Sequence, residues 1–341
     1  MKHHYLLRTI VALFTALATL QAGARGEIVR GDVNGDGVCN LGDLTTMINH
    51  LVYNTTPPAL WLADIDGNGA LGMDDLTALI NYLVYGEWLW PDPVMPPPPD
   101  DAQVFTVNGV SFAMVHVEGG TFMQGDESYE ASTPVHQVTL SSYWIGETEV
   151  TADLWHAVMG EDDTSIGTSG LQPAQNLSWE ECQEFIERLN ELTGVTFHLP
   201  TEAQWEFAAR GGNYSHGYMY SGSDNLDEVG WYDGNTLALY PFIPIVKTKM
   251  PNELGLYDMS GGTSELCEDP YSSVYVWTEP VTDPFEYHAV SHVLKVERGG
   301  SIYYESSYCT PTRRYVEHRD HKWGGFRLAI WPDSMPPLLD I

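Results

Sequence analysis

NLSWEECQEFIERLNELTGVTFHLPTEAQWEFAARGG, residues 176–212, is the stretch that decides the fold of the larger part of this 341-residue chain. It holds two segments predicted to be helical, Trp179–Leu192 and Glu202–Arg210. Around it, residues 104–330 consist mainly of short strand-like runs such as FTVNGVSFAMVHV, separated by Gly, Asn and Ser clusters. A few helices among many short strands predict a mixed α+β domain that is rich in loops.

A duplicated motif precedes this domain: DVNGDGVCNLGDLTTMINHLVYN begins at Asp32, and DIDGNGALGMDDLTALINYLVYG begins at Asp64. Each loop continues into a helix with apolar residues at positions i, i+3, i+4 and i+7. These residues are Leu44, Met47, Ile48 and Leu51 in the first repeat, and Leu76, Leu79, Ile80 and Leu83 in the second. Neither helix buries such a stripe alone, so the two are predicted to pack on each other.

The first loop places oxygen atoms where a calcium ion requires them, at positions 1, 3, 5, 7, 9 and 12. The second loop does so at every position except 9, where Gly72 leaves the place to water. The predicted ligands of the first loop are Asp32, Asn34, Asp36, the Val38 carbonyl, Asn40 and Asp43. Those of the second are Asp64, Asp66, Asn68, the Ala70 carbonyl and Asp75. Cys39 corresponds to Leu71 of the second loop, so we expect this cysteine to pack inward.

The repeats differ from ordinary EF-hands, because position 12 is Asp and no entering helix fits before Asp32. Over about Gly31 to Gly86 they resemble a type I dockerin. The resemblance implies a small all-α domain that folds on calcium and docks into a cohesin-type domain, which tethers the rest of the chain to a larger assembly.

The termini and the composition set the context. Residues 1–24, with Lys2, Arg8 and an apolar core, predict a signal peptide, and therefore a secreted, periplasmic or cell-surface protein without a membrane span. The net charge of −32 argues against nucleic acid or an anionic membrane as partner. We expect a dockerin-like domain over 25–89, a Pro-rich linker over 90–103, the large domain over 104–331 and a tail over 332–341. Of the four cysteines, at least two are expected to be free or packed.

The large domain carries a second resemblance. The opening stretch, FAMVHVEGGTFMQGD, NELGLYDMSG and the final RGGS…WGGFRLA are similar to the sulfatase-modifying-factor family, which includes the formylglycine-generating enzyme. The resemblance implies a C-type-lectin-like fold and a copper(I)-dependent oxidation of sulfatase cysteines through two thiols. Here the second thiol is Cys309, but the first position is Tyr304, and a phenol cannot replace a thiolate for copper(I). Copper and a catalytic Cys309 are expected only if the oxidase chemistry survives.

The same resemblance implies a calcium site in the large domain. Its positions are occupied by the Asp258 and Glu265 side chains and the Gly261 and Thr263 carbonyls. An acidic turn without metal is an equally weighted alternative. Ser264 and Leu266 stand where the family has tryptophans, a second departure from the enzyme pattern.

The segment GGSIYYESSYC, residues 299–309, suits recognition, since Tyr supplies contact area and Ser adaptable hydrogen bonds. Its frame also resembles the variable proteins of diversity-generating retroelements, which bind ligands there. The candidate ligand-binding residues are Tyr303, Tyr304, Glu305, Tyr308, Arg313, Arg314 and Tyr315. The alternative is that these aromatics cover the core.

Three functions stay open. We favour an exported, dockerin-tethered accessory or binding protein without oxidase activity, whose ligand is a protein or a glycan and which is associated with polysaccharide breakdown. The alternatives are a copper-dependent formylglycine-generating oxidase and a structural module of a cohesin–dockerin assembly.

Overall fold

The computed structural model describes residues 31, 33–34, 39–53, 76, 79–80, 82–83, 98–160, 166, 168, 170–236, 244–285 and 293–331. The chain divides into two compact units, Met1–Pro96 and Pro97–Ile341. Among the residues described, no helix is long and apolar enough to cross a bilayer.

The first unit contains helix α1, Leu41–Tyr53. Its buried residues form one hydrophobic cluster with residues of the second repeat; the cluster contains Val33, Cys39, Leu44, Met47, Leu76, Leu79 and Leu83. The predicted packing of the two apolar stripes is therefore confirmed. Cys39 is buried in the same cluster, as expected from its correspondence to an apolar position.

The described part of the second unit contains ten strands: β1 (Gln103–Val107), β2 (Val110–Val117), β3 (Gly120–Gln124), β4 (His136–Leu140), β5 (Tyr143–Gly146), β6 (Glu265–Pro270), β7 (Val281–Thr282), β8 (Leu294–Arg298), β9 (Tyr315–His318) and β10 (Ala329–Ile330). They form three sheets with the orders β1-β2-β5-β10, β3-β4-β7 and β6-β8-β9. Only the β4–β7 pair among them is parallel. Strand β10 pairs with β5, so the end of the domain closes against its beginning.

The same described residues form five α-helices: α2 (Ala152–Met159), α3 (Trp179–Thr193), α4 (Glu202–Ala209), α5 (Leu226–Val229) and α6 (Asp233–Thr236). The two helices predicted from the opening stretch are α3 and α4. Ser178 caps α3 and Thr201 caps α4, each through a reciprocal capping box. Gly194 ends α3 in the left-handed conformation, with φ of 70°. The mixed α+β class predicted from the sequence is confirmed.

Helix α4 lies inside the hydrophobic core of the second unit. All eight residues of α4 are buried, and Trp205 and Phe207 pack in a cluster that also contains Ile145 and Val296. A helix buried on every side must also bury its acidic residues. Glu202 and Glu206 of α4 therefore need partners inside the protein.

Candidate functional site

A buried ionic network lies under the segment after β8. The Arg298 guanidinium, at the end of β8, donates to Glu202 Oε1 at 2.6 Å and to Glu206 Oε2 at 2.6 Å. It also donates to the Pro311 carbonyl at 2.5 Å. Because these charges are paired and fully desolvated, loss of one partner is expensive. The two carboxylates of α4 hold the segment in place.

Arg314 belongs to this network and not to the exposed surface. Its side chain donates to both oxygens of Glu202, at 2.5 and 2.9 Å, and to the carbonyls of Ala131 and Ser272, at 2.6 and 3.1 Å. It is 3% exposed. The prediction that Arg314 contacts a ligand is therefore corrected, because its donors are already satisfied inside the domain.

Cys309 is a packed thiol. It is buried in a small cluster with Tyr220, Leu226 and Val229, and a Cβ on Gly300 would lie 2.9 Å from its Sγ atom. Burial raises the pKa of Cys309 to about 12, so the thiol stays protonated at neutral pH. A reactive cysteine or a copper ligand needs the thiolate.

No second thiol joins Cys309. Each of the other three cysteines is buried in a different hydrophobic cluster: Cys39, Cys182 and Cys267. Copper(I) prefers two soft thiolates in low coordination number. The residues around Cys309 thus do not fit copper(I).

Tyr304, at the position of the missing thiol, is part of an aromatic stack. Its ring is parallel to that of Tyr315, with centroids 5.3 Å apart and an interplanar angle of 2°. The Tyr308 ring stacks on Tyr304 at 5.7 Å, and the Tyr315 hydroxyl donates to the Tyr308 carbonyl at 2.5 Å. Burial raises the pKa of Tyr304, and Glu297 and Glu317 raise it further. Burial also raises the pKa of Tyr315, so the hydroxyls of Tyr304 and Tyr315 stay protonated at neutral pH.

The remaining predicted contact residues lie around this stack. The Arg313 guanidinium is sandwiched, 3.4 Å from the Tyr129 ring centre and 4.5 Å from that of Tyr308. Glu305 and Tyr303 are exposed. Tyr303 contacts Trp323, an exposed residue that the sequence did not single out.

Glu297 was also missed. It lies in β8, is 2% exposed, and accepts the Ser264 hydroxyl at 2.7 Å. Burial raises the pKa of Glu297 to about 7; the Ser264 hydroxyl opposes this shift, and the charge of Glu317 adds to it. Within the described part of the chain, no basic side chain pairs with Glu297.

The proposed calcium turn after Tyr257 is only partly suited to metal. Asp258 has φ of 60°, and its carboxylate accepts the Lys247 N–H at 2.8 Å. Burial raises the pKa of Asp258 to about 6. Glu265, however, pairs with Arg327 through both oxygens, each at 2.6 Å, and also accepts from Trp205 Nε1 at 2.8 Å. The prediction of Glu265 as a calcium ligand is corrected, since its carboxylate is already neutralised.

Glu149 is a second carboxylate at this turn, and its oxygens are not engaged as those of Glu265 are. It is 2% exposed, yet among the residues that the structure describes neither carboxylate oxygen has a hydrogen-bond partner, and the Thr263 hydroxyl has none either. A Cβ on Gly262 would lie 3.3 Å from Glu149 Oε1, which places the carboxylate against the turn. Burial raises the pKa of Glu149, and Asp258 raises it further. Unpartnered hard oxygens beside a turn fit a calcium ion.

A calcium ion at this turn would depend on backbone carbonyls. In the ranges that the structure describes, no three His, Cys, Asp or Glu side chains lie close enough to hold one ion. The Gly261 and Thr263 carbonyls remain suitable, because they follow Asp258 in the same turn.

In the first unit, the described part of the first loop closes on Asp43. The backbone N–H groups of Asn34 and Asn40 donate to its carboxylate at 3.0 and 2.6 Å. These bonds place the Asp43 carboxylate beside the backbone of Asn34 and Asn40, and the three residues stay predicted calcium ligands. The other predicted ligands lie outside the described residues: Asp32, Asp36, Val38, Asp64, Asp66, Asn68, Ala70 and Asp75.

Comparison with known proteins gives two family matches. A Sulfatase-modifying factor enzyme 1-like domain matches residues 104–331, and a Dockerin type I domain matches residues 30–84. The Chaperone protein LppX of Paenibacillus barcinonensis is 32% identical over 212 residues, 48% of this chain and 73% of that protein. The formylglycine-generating enzyme of Streptomyces coelicolor is 26% identical over 265 residues, 58% and 81% of the two chains.

Two solved structures are similar as well. Treponema denticola variable protein 1 has a TM-score of 0.59 and 29% identity, and the match covers 68% of this chain and 99% of that one. PvdO from Pseudomonas aeruginosa has a TM-score of 0.56 and 22% identity, and the match covers 70% of this chain and 100% of that one. At this identity the similarity shows the fold alone.

Proposed function

This chain belongs to the sulfatase-modifying factor family and carries a type I dockerin domain, and on that premise we propose that it is an exported binding or accessory protein without oxidase activity. One observation carries the proposal. The only thiol in the position of the family's cysteine pair, Cys309, is buried with a pKa raised to about 12, while Tyr304 is locked in an aromatic stack. Neither group offers the thiolate that copper(I) requires.

The dockerin gives the tether. Type I dockerins bind calcium, interact with cohesins and occur in extracellular proteins. We infer that the two loops hold calcium through the ligands named above and that the helices meet a cohesin-type domain. We infer export after removal of residues 1–24, which have the pattern of a signal peptide. The proposed association with polysaccharide breakdown rests on the presence of the dockerin alone.

The ligand-binding surface proposed here consists of Tyr303, Tyr304, Glu305, Tyr308, Arg313 and Tyr315. Stacked tyrosines supply area at low entropic cost, and the network of Arg298 and Arg314 holds the segment from below. Similarity to a protein named as variable and to one named as a chaperone supports binding over oxidation.

Calcium in the large domain has a structural part in this proposal. Asp258, Glu149 and the carbonyls of Gly261 and Thr263 would hold it. A bound ion would neutralise two buried carboxylates that otherwise repel each other. No step of any reaction is assigned to it.

The decisive test incubates the full chain, copper(I) and oxygen with a cysteine-containing sulfatase peptide and measures formylglycine by mass spectrometry. The natural chain is expected to leave the cysteine intact, and Tyr304→Phe serves as the control that keeps the ring. Tyr304→Cys asks whether the missing thiol alone prevents oxidation. Conversion by the natural chain would establish the oxidase alternative, which the similarity to formylglycine-generating enzymes favours, and would overturn the proposal.

A further inference from the structure

A cleft opens at the N-terminal end of α4. Its volume is about 340 Å³ with the open mouth included. The buried residues that line it include Gln124 of β3, Glu202 of α4 and Asp269 of β6, whereas Val276 and Trp277 of the loop after β6 line it from more exposed positions. Small-molecule sites measure roughly 300–1,000 Å³, so this cleft has room for one ring-sized group.

Gln124 brings a buried amide to the cleft. Strand β3 packs on α4, where the ring centres of Phe122 and Phe207 are 5.1 Å apart, and Gln124 lies two residues further along the strand. Gln124 is 2% exposed, and among the described residues its amide has no hydrogen-bond partner. A buried amide without a partner is costly. Because Gln124 lines the cleft, the cleft is where this amide can find a partner.

Trp277 lines the same cleft without an aromatic partner. It is half-buried, and within the described part of the chain its ring stacks on no other ring and its N–H has no acceptor. Tyr275, two residues earlier, differs, because it is buried and its hydroxyl donates to Glu206 Oε2 at 3.2 Å. An aromatic ring held beside a cleft in this way suits stacking against a ligand.

The charged groups of the cleft are paired with each other. Both oxygens of Glu202 accept from Arg314, which also lines the cleft. Asp269 Oδ2 accepts the Glu202 N–H at 2.7 Å. The groups that remain for a ligand include the Gln124 amide and the Trp277 indole, and both are neutral.

We propose that this cleft binds one neutral sugar ring of a glycan, which stacks on Trp277 and pairs adjacent hydroxyls with the Gln124 amide. A pyranose has an apolar C–H face that suits an indole, and its hydroxyls both donate and accept, as a primary amide does. An anionic sugar would find Arg314 already paired, and the net charge of −32 would repel it. A purely apolar ligand would leave the amide unpaired.

The cleft goes beyond the ligand-binding surface proposed above. Among the described residues that line it, none belongs to the six that make up that surface. The two sites can therefore be tested separately.

The test uses the full chain with calcium and ¹⁵N-labelled tryptophan, and it follows the indole signals of the 11 tryptophans by NMR. The Trp277 signal is the one that Trp277→Phe removes. The probes are the methyl β-pyranosides of glucose, galactose, mannose and xylose, and acetyl-glutamine methylamide represents a peptide side chain. At least one pyranoside is expected to move the Trp277 signal saturably, and the glutamine probe is expected to leave it in place.

Variants then test each contact. Gln124→Met keeps the length of the side chain and removes the amide, so it should weaken binding of the pyranoside by about fivefold or more. Its melting temperature without sugar should equal or exceed that of the natural chain, because an unpaired buried amide is gone; a residue that only packs would not combine weaker binding with unchanged stability. Trp277→Ala should abolish binding as seen in the ligand's own NMR signals. Tyr214→Ala removes a ring that is 61% exposed outside the cleft and should leave affinity unchanged.

A Trp277 signal that none of the four pyranosides moves would overturn the inference. So would a shift caused by the glutamine probe alone, because the ligand would then be a peptide. Unchanged affinity of Gln124→Met would overturn it as well. In each case the proposed function would still be judged by the sulfatase-peptide assay, which does not depend on this cleft.

Discussion

Replacing Glu297 by glutamine should stabilise the protein at alkaline pH. Burial raises the pKa of this carboxyl from 4.5 to about 7, and this difference corresponds to roughly 3 kcal/mol of folding free energy. Because the folded-state pKa lies above the unfolded one, the favourable contribution is complete below pH 4.5 and is lost as pH rises through 7. Above pH 8 the buried, ionised carboxylate of Glu297 lowers the free energy of unfolding, whereas the neutral amide of Glu297→Gln does not.

The expected difference is measurable by thermal unfolding at constant calcium. For a domain of this size, about 1 kcal/mol shifts the melting temperature by roughly 2–4 °C. Glu297→Gln should therefore melt about 5 °C or more above the natural chain at pH 8.5, and at nearly the same temperature at pH 5. The amide oxygen still accepts the Ser264 hydroxyl, so this hydrogen bond is kept.

Glu305→Gln, at an exposed position of the adjacent loop, is the matched control, and it should change the melting temperature by less than about 1 °C. An equal or lower melting temperature of Glu297→Gln at pH 8.5 would refute the reasoning. The same difference at both pH values would refute it too, because the effect would then not come from ionisation.

Other outcomes follow from the network and the turn. Glu149→Gln should reduce the rise in melting temperature that calcium causes in the large domain. Glu265→Gln should instead lower the melting temperature by the same amount with and without calcium, because it weakens the pair with Arg327. Calorimetry measures both, and a Glu149→Gln variant whose response to calcium equals that of the natural chain would exclude the Glu149 site. Iodoacetamide at pH 8 should modify Cys309 only after unfolding, as peptide mapping would show; rapid labelling of the native chain would contradict a buried, protonated thiol. Arg298→Met should cost about 3–5 kcal/mol by urea unfolding, because it removes the buried cation that two buried carboxylates share and leaves them with Arg314 and Arg210 alone; a loss under about 1 kcal/mol would mean that the network is not structural.

The helices were the most predictable part of the large domain. Helices α3 and α4 follow from local signals, because Ser178 and Thr201 are capping residues with Glu181 and Gln204 three positions later. That α4 is buried on all sides is not a local property. Its partner Arg298 lies far along the chain, and only tertiary structure brings the guanidinium to Glu202.

The candidate site was predicted less completely. Tyr303 and Tyr304 were found because they lie in one Tyr- and Ser-rich segment, whereas Trp323 and Glu297 come from other segments and gave no signal. Glu149 looks like any other acid in the run ETEV, and only burial distinguishes it. Arg314 shows the opposite error, since a charged residue beside a recognition segment looked exposed but turns inward to α4.

The buried arginines have a practical consequence. Arg298 donates to the Pro311 carbonyl, and Arg314 donates to Glu202 of α4. Both ends of the segment from 299 to 313 are therefore held by hydrogen bonds of buried arginines. The outward residues, among them Tyr303, Glu305 and Ser307, contribute nothing to those hydrogen bonds. A combinatorial library at these positions should therefore fold as often as the parent does, which would make the domain a display scaffold with a dockerin already attached for immobilisation.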